Sequence, residues 1–596
     1  MMNIVSGIRQ YANSDRLAVV CDDEKLSYKD LDRYSDIIGN YISQKYGENT
    51  PVAIYGNKDV MIIACMIGAL KSKRAYVPMD VSFPEQRVLD VLDSIRPNIV
   101  FDMSGKNFFR DQDGQVKEAY KSFEIIDKKN LINLIEENKV GPLASQVPSE
   151  NWVDGDENSY ILFTSGSTGK PKGVQISAYN LDSFMRWMSP ILGLDGQAKV
   201  VMDQPAYSFD LSVSQLYPGL ANGATLYSLS KDVVADFKVL FDHMRKSDME
   251  VWVSTPSFVG MCLVDKDFNQ EMLPKLRKML YIGEVLPVEV ARKLRERFPK
   301  VDIINGYGPT EATVGISHVI INDDHIGSGK SLPVGLPMEN CKIKIVDEEG
   351  REVEEGQKGE IVIIGPSVSK GYFKNEEKTK EVFYLESTDP GLESGSPKDL
   401  AHLRFRAYKT GDLGFIDETG NIRYAGRKDF QIKLNGYRIE IEDIENNLRK
   451  VENIRNAKTI IFKDNSSEKV YPLEIKNIAQ NPDSINLTYP VTFTFSNLSK
   501  DEKFLSGQTG TVTISVKNNG NQEILIPLDA LFEDNGSNVY LFKNGVAVKT
   551  AVEIGELREA DKISIVKGLK SGDKVIVAGV SKLVDGEKVK LLGGAQ

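Results

Sequence analysis

The sequence predicts an α/β protein: a large N-terminal body of α/β layers with a β-rich subdomain, followed by an all-β tail. Three observations carry that prediction. Over the first third, helical and strand patterns alternate, as in a parallel sheet covered by helices. Past Gly335 the texture changes to apolar–polar alternation of the strand type. From about Glu474 nearly everything reads as short strands between turns. At 596 residues the chain has room for two to four domains.

The elements follow in order. Residues 26–45 (LSYKDLDRYSDIIGNYISQK) have helical spacing, 52–55 form a short apolar strand, 60–72 a helix and 75–77 another strand. The apolar run 59–70 (DVMIIACMIGAL) is too short to span a bilayer and predicts a buried helix. The pattern recurs at 199–202, 215–220, 224–228, 234–245 and 251–254. Residues 341–347 and 359–364 alternate as strands, joined through Glu348-Glu349-Gly350. The stretch 385–400, rich in Ser, Pro, Gly and acid, predicts an exposed loop, and 438–450 a helix. In the tail, strands are predicted at 491–495, 510–516, 524–527, 539–542, 546–550, 563–566 and 574–577, with turns such as Lys543-Asn544-Gly545 between them.

Composition narrows the function. A net charge of -11 disfavours nucleic acid as the main partner, since phosphate backbones attract basic surfaces. Four cysteines (Cys21, Cys65, Cys262, Cys341) lie far apart without a CxxC pair, which disfavours zinc or a disulfide framework and fits a reducing compartment. The four histidines are equally scattered. The N-terminus has no basic start followed by an apolar core, and no stretch reaches eighteen apolar residues, so a cytoplasmic location and no transmembrane segment are expected.

The strongest local signal is 160–173, YILFTSGSTGKPKG. An apolar run ends in Thr164-Ser165-Gly166-Ser167-Thr168-Gly169, and then come Lys170 and Lys172. Small residues let backbone N–H groups approach phosphate oxygens, the hydroxyls add donors, and the lysines supply positive charge. The Walker A spacing GxxxxGK[ST] is absent. On composition alone, a polar surface turn is an equally good reading; the whole string is far more specific.

That string resembles the phosphate loop of the acyl-adenylate-forming superfamily, and further motifs occur in that superfamily's order. They are 75–80 (AYVPMD), 208–213 (SFDLSV), 305–311 (NGYGPTE), 408–414 (YKTGDLG) and 426–440 (GRKDFQIKLNGYRIE). The resemblance implies ATP and Mg²⁺ as cofactors and gives each motif a role. Thr164 through Gly169 would cradle phosphates, with Thr164 and Lys172 at the reacting groups. Asn305, Gly306, Tyr307, Gly308, Pro309 and Thr310 would surround the adenine, with Tyr307 as the stacking face. Glu311 would hold the metal. Asp412 would accept the ribose hydroxyls, with Tyr424, Ala425, Gly426 and Arg427 beside it. Asp429 would be the pivot of a small C-terminal lobe. Taken singly, Glu311 also reads as a helix N-terminal glutamate, Asp412 as a turn residue and Asp429 as a loop residue.

Asp210 points to the substrate. Amino-acid activators place an acid here against the substrate ammonium, whereas a fatty-acid activator would leave a buried carboxylate unpaired at high cost. A capping aspartate is the plainer alternative. More narrowly, 209–220, 283–294, 312–314 and 365–372 (GPSVSKGY) resemble D-alanine–D-alanyl carrier protein ligases over about residues 1–465. The implied partners are D-alanine and the phosphopantetheine thiol of a carrier protein, feeding teichoic-acid esterification in the cell wall. Val314 and Ile282 would line the side-chain pocket; each could equally be a core aliphatic. Ile282 is larger than the resemblance implies, so another amino acid, as in a peptide-synthetase adenylation domain, stays open.

The family continues into a small lobe ending in a Gly-Lys motif whose lysine reaches the reacting carboxylate. Here the pattern fades near Lys469, and the tail offers only Lys574 and Lys588, which read better as hairpin-turn lysines. The tail instead resembles the C-terminal end of efflux-pump periplasmic adaptor subunits, at 526–532, 539–557 and 568–583. The expected division is therefore 1–410 large lobe, 411–468 ribose motif, hinge and truncated small lobe, and 469–596 adaptor-like tail. A fusion near residue 470 follows, with an enzyme handicapped by the missing lysine. A non-catalytic scaffold governed by the tail is the rival.

Overall fold

A computed structural model describes residues 3–111, 113–165, 171–387 and 404–428, then shorter stretches between 432 and 589 in which β-strands dominate. The chain divides into two compact units, 1–450 with 476–492, and 451–475 with 493–596.

The first unit is built on two large sheets, both parallel in their interiors. Six strands run in the order Glu124–Asp127, Ile99–Asp102, Val52–Gly56, Tyr76–Asp80, Asn158–Thr164 and Lys172–Ser177, all parallel except the last pair. Nine strands form the other sheet. Its parallel core runs from Asp302–Tyr307 through Lys278–Tyr281, Val251–Ser254, Val200–Asp203 and Thr225–Ser228 to Leu17–Cys21. The buried helix foreseen at 59–70 is Val60–Lys71: every residue is buried, and Asp59 caps it by accepting the N–H of Met61. Uniform apolarity is what a helix with no solvent face requires.

Behind these lies the β-rich subdomain, a five-stranded sheet with Lys342–Val346, Gly359–Ile364, Arg404–Ile416 and Phe383–Ser387 in order, and Ile422–Arg427 paired to the long strand. The second unit includes two three-stranded sheets, Ile524–Pro527, Lys562–Lys567 and Glu553–Arg558, and Phe532–Glu533, Ser537–Lys543 and Val546–Ala551. Ile526, Val539, Leu541, Ile563 and Ile565 form a small core between them.

Several boundaries differ from expectation. The helix predicted from residue 26 starts at Tyr28, because Glu24–Ser27 pairs as a strand with Leu17–Cys21 and Ser27 caps the helix. The single helix over 234–245 is two, Lys231–Ala235 and Phe237–Ser247, broken where Asp236 leaves helical geometry and caps the second. Residues 385–387 are strand, not loop, pairing with 404–406. Arg438 sits in a two-stranded ribbon, Ile432–Leu434 with Tyr437–Ile439; the rest of the predicted 438–450 helix lies outside the described residues. Residues 574–577 contribute one isolated bridge at Val575 rather than a strand. Strands Ala457–Asp464, Val470–Ile478 and Glu553–Arg558 were not foreseen.

All four cysteines are buried and free. Among the described residues no helix is long and apolar enough to cross a membrane.

Two glycines offer a test of packing. At Gly335 (φ 90°) a Cβ would lie 1.9 Å from the carbonyl oxygen of His318, whereas at Gly350 (φ 81°) it would meet nothing within 4 Å. Gly350→Ala should cost about 1–2 kcal/mol of backbone strain alone. Gly335→Ala should lower the thermal midpoint far more, or abolish soluble expression, because backbone must move. Melting curves of the two variants check this.

Candidate active site

Tyr307 ends a strand of the nine-stranded sheet, and its ring is buried beside Tyr424, centroids 6.2 Å apart. Its hydroxyl donates to Asp412 Oδ2 at 2.6 Å. On the other side, the Arg427 guanidinium donates to Asp412 Oδ1 at 2.6 Å. Asp412 and Arg427 face each other across paired strands, so register alone brings them together. Burial, reinforced by Asp412, pushes the Tyr307 phenol well above its ordinary value, so it stays a donor. One carboxylate thus joins the large sheet to the β-rich subdomain.

Several positions along the chain converge around the end of the Tyr307 strand. Gly308 is pressed against the backbone of Val314 and Gly315, where a Cβ would lie 2.5 Å from Gly315 Cα. Thr313 and Val314 take positive φ, 56° and 72°, which a β-branched residue adopts only under strong tertiary constraint. Ile282, 1% exposed, packs against Gly306 and Gly315. Asn305 donates its buried amide to the Pro333 carbonyl at 2.8 Å, which fixes its side chain beside the Tyr307 strand end.

Glu311 is wholly buried in the turn Thr310–Ala312, and its Oε1 accepts from the Tyr372 hydroxyl at 2.9 Å. Next to it, Thr310 donates to Asp210 Oδ2 at 2.6 Å. Asp210 opens a short turn after Asp203, which is buried and accepts from Lys58, Gln215, Tyr207 and Ser228. Lys58 lies 3.6 Å over the Tyr207 ring. Burial draws the Lys58 ammonium below its usual value, with Asp203 opposing. This network fixes the loop that presents Asp210.

The strands Asn158–Thr164 and Lys172–Ser177 are antiparallel and pair Thr164 with Lys172 at the mouth of the Gly/Ser/Thr loop. Gly166, Ser167, Thr168 and Gly169, and likewise Asp429, lie outside the described residues. Among the described residues no cluster of three potential metal ligands occurs. A single buried carboxylate still suits Mg²⁺, which takes one or two carboxylates and completes its shell with water and phosphate.

Two participants escaped the sequence reading. Trp187, in the middle of a helix, stacks edge-on to His318 at 5.4 Å and would touch a Cβ at Gly315 at 3.6 Å. Nothing local marks it. Tyr372 stood in a quoted string, but its contact with Glu311 spans 61 residues.

This architecture defines the class. The chain belongs to the AMP-binding enzyme family, which matches residues 8–373. Within that family its sequence falls among D-alanine–D-alanyl carrier protein ligases. It is 40% identical to the ligase of Bacillus mycoides (strain KBAB4) over 466 residues, 78% of this chain and 86% of that protein. It is 39% identical to that of Bacillus cereus (strain AH187) over the same coverage. Residues 523–591 match the YknX C-terminal permuted SH3-like domain. Two solved structures share the fold. One is a nonribosomal peptide synthetase protein with adenylation and PCP domains (TM-score 0.63, 23% identity, 78% of this chain, 75% of that one). The other is an artificially fused adenylation–PCP di-domain from Klebsiella oxytoca (TM-score 0.64, 21% identity, 79% and 87%).

The Asp412 triad makes a stability prediction. Asp412→Ala removes the acceptor shared by the Tyr307 phenol and the half-buried Arg427 guanidinium, and with two hydrogen bonds to a charged group lost it should cost more than the about 1.5–3 kcal/mol of a single one. Tyr307→Phe removes one hydrogen bond to a charged group and should cost about 1.5–3 kcal/mol. Ligand-free thermal and urea melts of both variants provide the check.

Proposed function

We propose that residues 1–468 bind Mg·ATP and activate the carboxylate of a small amino acid, D-alanine, as its adenylate, for transfer to the phosphopantetheine thiol of a carrier protein. One observation carries the reading: the Asp210–Thr310 hydrogen bond puts a candidate ammonium acceptor next to the Glu311 turn, in a chain 40% identical to a named D-alanine ligase. Asp210 would exchange the Thr310 hydroxyl for the substrate ammonium. Val314 and Ile282 would bound a pocket too narrow for a large side chain. Asp412, fixed by Tyr307 and Arg427, would take the ribose hydroxyls. Thr164 through Gly169, with Lys172, would hold the phosphates. Magnesium, when bound at Glu311, neutralises triphosphate charge and assists pyrophosphate departure. Catalysis is then positioning and charge stabilisation, with no histidine base required.

The remaining proposal concerns the join. The YknX-like match begins at 523, and 14% of the Bacillus mycoides relative (100 − 86) has no counterpart in its alignment. Lys574 contributes its carbonyl to Phe542 and Lys588 bridges Val546, both as parts of the small β-fold. The division into 1–410, 411–468 and 469–596 is proposed on these grounds, with Asp429 as a pivot whose lobe is replaced. The YknX match is also the observation that favours a second reading, a scaffold governed by the tail.

ATP–pyrophosphate exchange across amino acids, with the full chain, tests both. The expected result is D-alanine-dependent exchange roughly 10²–10³ below that of full-length ligases, from the loss of a charge-stabilising lysine. Asp210→Ala should abolish the amino-acid dependence while leaving ATP binding intact. Exchange at full ligase rates would overturn the handicap; ATP binding with no exchange for any amino acid would favour the scaffold.

A further inference from the structure

The segment following strand Gly359–Ile364 is sewn to both halves of the proposed nucleotide site. Asn180 donates its buried amide to the carbonyls of Pro366 (2.6 Å) and Val368 (2.9 Å), and Thr313 donates its hydroxyl to Ser367 (2.6 Å). The Ser369 N–H reaches the backbone carbonyl of Glu311 at 2.9 Å. Lys370 and Gln175 exchange backbone hydrogen bonds with this segment, through Lys370 N–H to Gln175 O and Gln175 N–H to Gly371 O, and the Phe373 N–H reaches Gly173 O at 2.7 Å. The segment therefore extends the strand that leaves the phosphate loop and at the same time buttresses the Glu311 turn.

One side chain spans that gap. Tyr372 is 5% exposed, and its hydroxyl donates to Glu311 Oε1 at 2.9 Å. The Lys172 ammonium stands 5.7 Å from the centre of the same ring, within cation–π range. Phe383 packs edge-on against it at 5.6 Å, and the Tyr372 N–H is held by the Thr379 hydroxyl at 3.0 Å. The ring thus lies within cation–π range of the lysine at the phosphate end, its hydroxyl bonds the carboxylate at the metal end, and its own position is fixed by packing. A carboxylate has about four lone-pair sites, so a phenol hydrogen bond can help orient it alongside its other partners.

We infer that Tyr372 is a positioning residue for magnesium: its hydroxyl sets the orientation of Glu311, and its ring sets Lys172 against the phosphates. The inference rests on the proposed role of Glu311 as the metal-facing carboxylate. Orientation by a neighbour that is not itself a ligand is the usual way a metal site is tuned, and its loss weakens metal affinity rather than removing the site.

The test titrates Mg²⁺ into the full chain with a fluorescent ATP analogue, for wild type, Tyr372→Phe, Tyr372→Leu, Glu311→Gln and the Tyr372→Phe/Glu311→Gln double variant. Tyr372→Phe keeps the ring and should raise the Mg²⁺ midpoint about tenfold, the loss of one charge-assisted hydrogen bond. Its metal-free nucleotide affinity and its D-alanine dependence should not move. Tyr372→Leu should weaken metal-free binding as well, through Lys172. The double variant should be no worse than Glu311→Gln alone, since the hydroxyl acts through that carboxylate. A wild-type Mg²⁺ midpoint in Tyr372→Phe, alongside a lost Mg²⁺ response in Glu311→Gln, would overturn the inference and leave the reading of Glu311 standing. Additive effects in the double variant would also overturn it. A wild-type Mg²⁺ response in Glu311→Gln would remove the reading of Glu311 and the inference together. If Tyr372→Phe melts well below wild type, the Mg²⁺ midpoint is read at a temperature well below that variant's transition, and a wild-type midpoint there overturns the inference in the same way.

Discussion

The site depends on the carboxylate of Asp412. It is buried, and it receives a phenol from the nine-stranded sheet and a guanidinium from the neighbouring strand of the five-stranded sheet. A buried anion requires compensation on every face, so the two layers can approach in only one arrangement that satisfies it. The Gly308–Gly315 contact and the strained Thr313–Val314 turn lie on the stretch of chain that follows Tyr307. Without side chains at the glycines, the backbone of the Glu311 turn can sit directly on the strand that carries Tyr307.

A second, independent frame holds the other half. Asp203 accepts four hydrogen bonds, one of them from a buried lysine, and stabilises the loop running to Asp210. A buried ion pair of this kind contributes little net stability, because desolvation offsets attraction. Its value here is geometric: it leaves the loop with one arrangement. An aromatic row, Tyr372 to Phe383 to Tyr408, centroids 5.6 and 4.7 Å apart, links Glu311 to the strand that carries Asp412.

Much of this was legible in the sequence, for a physical reason. Phosphate loops and tight turns need glycine and small hydroxyl residues in fixed order, so Tyr307, Glu311, Asp412 and Arg427 stand in strings that cannot easily arise by chance. The buried helix Val60–Lys71 was equally plain, because an element without a solvent face has an unbroken apolar sequence. What was hidden was hidden by distance along the chain. Trp187, on a helix, and Tyr372 gain their neighbours only when segments far apart in sequence come side by side. The partner of the Asn305 amide, the Pro333 carbonyl 28 residues on, was equally hidden by distance. Short strands such as Glu24–Ser27 were lost to helical spacing, since four residues carry too little periodicity to compete with the eighteen-residue helix that follows.

The left-handed backbone at Val314 has a consequence for how such a pocket can change. A β-branched residue held at φ 72° bears strain that glycine would not. Under the proposed reading, this side chain also sets the width of the amino-acid pocket. Replacing it with glycine would relieve the backbone and enlarge the cavity in one step, against the packing that a buried valine supplies. At this position backbone strain and substrate range are coupled: a change that widens the pocket eases the turn and loosens the packing around it together.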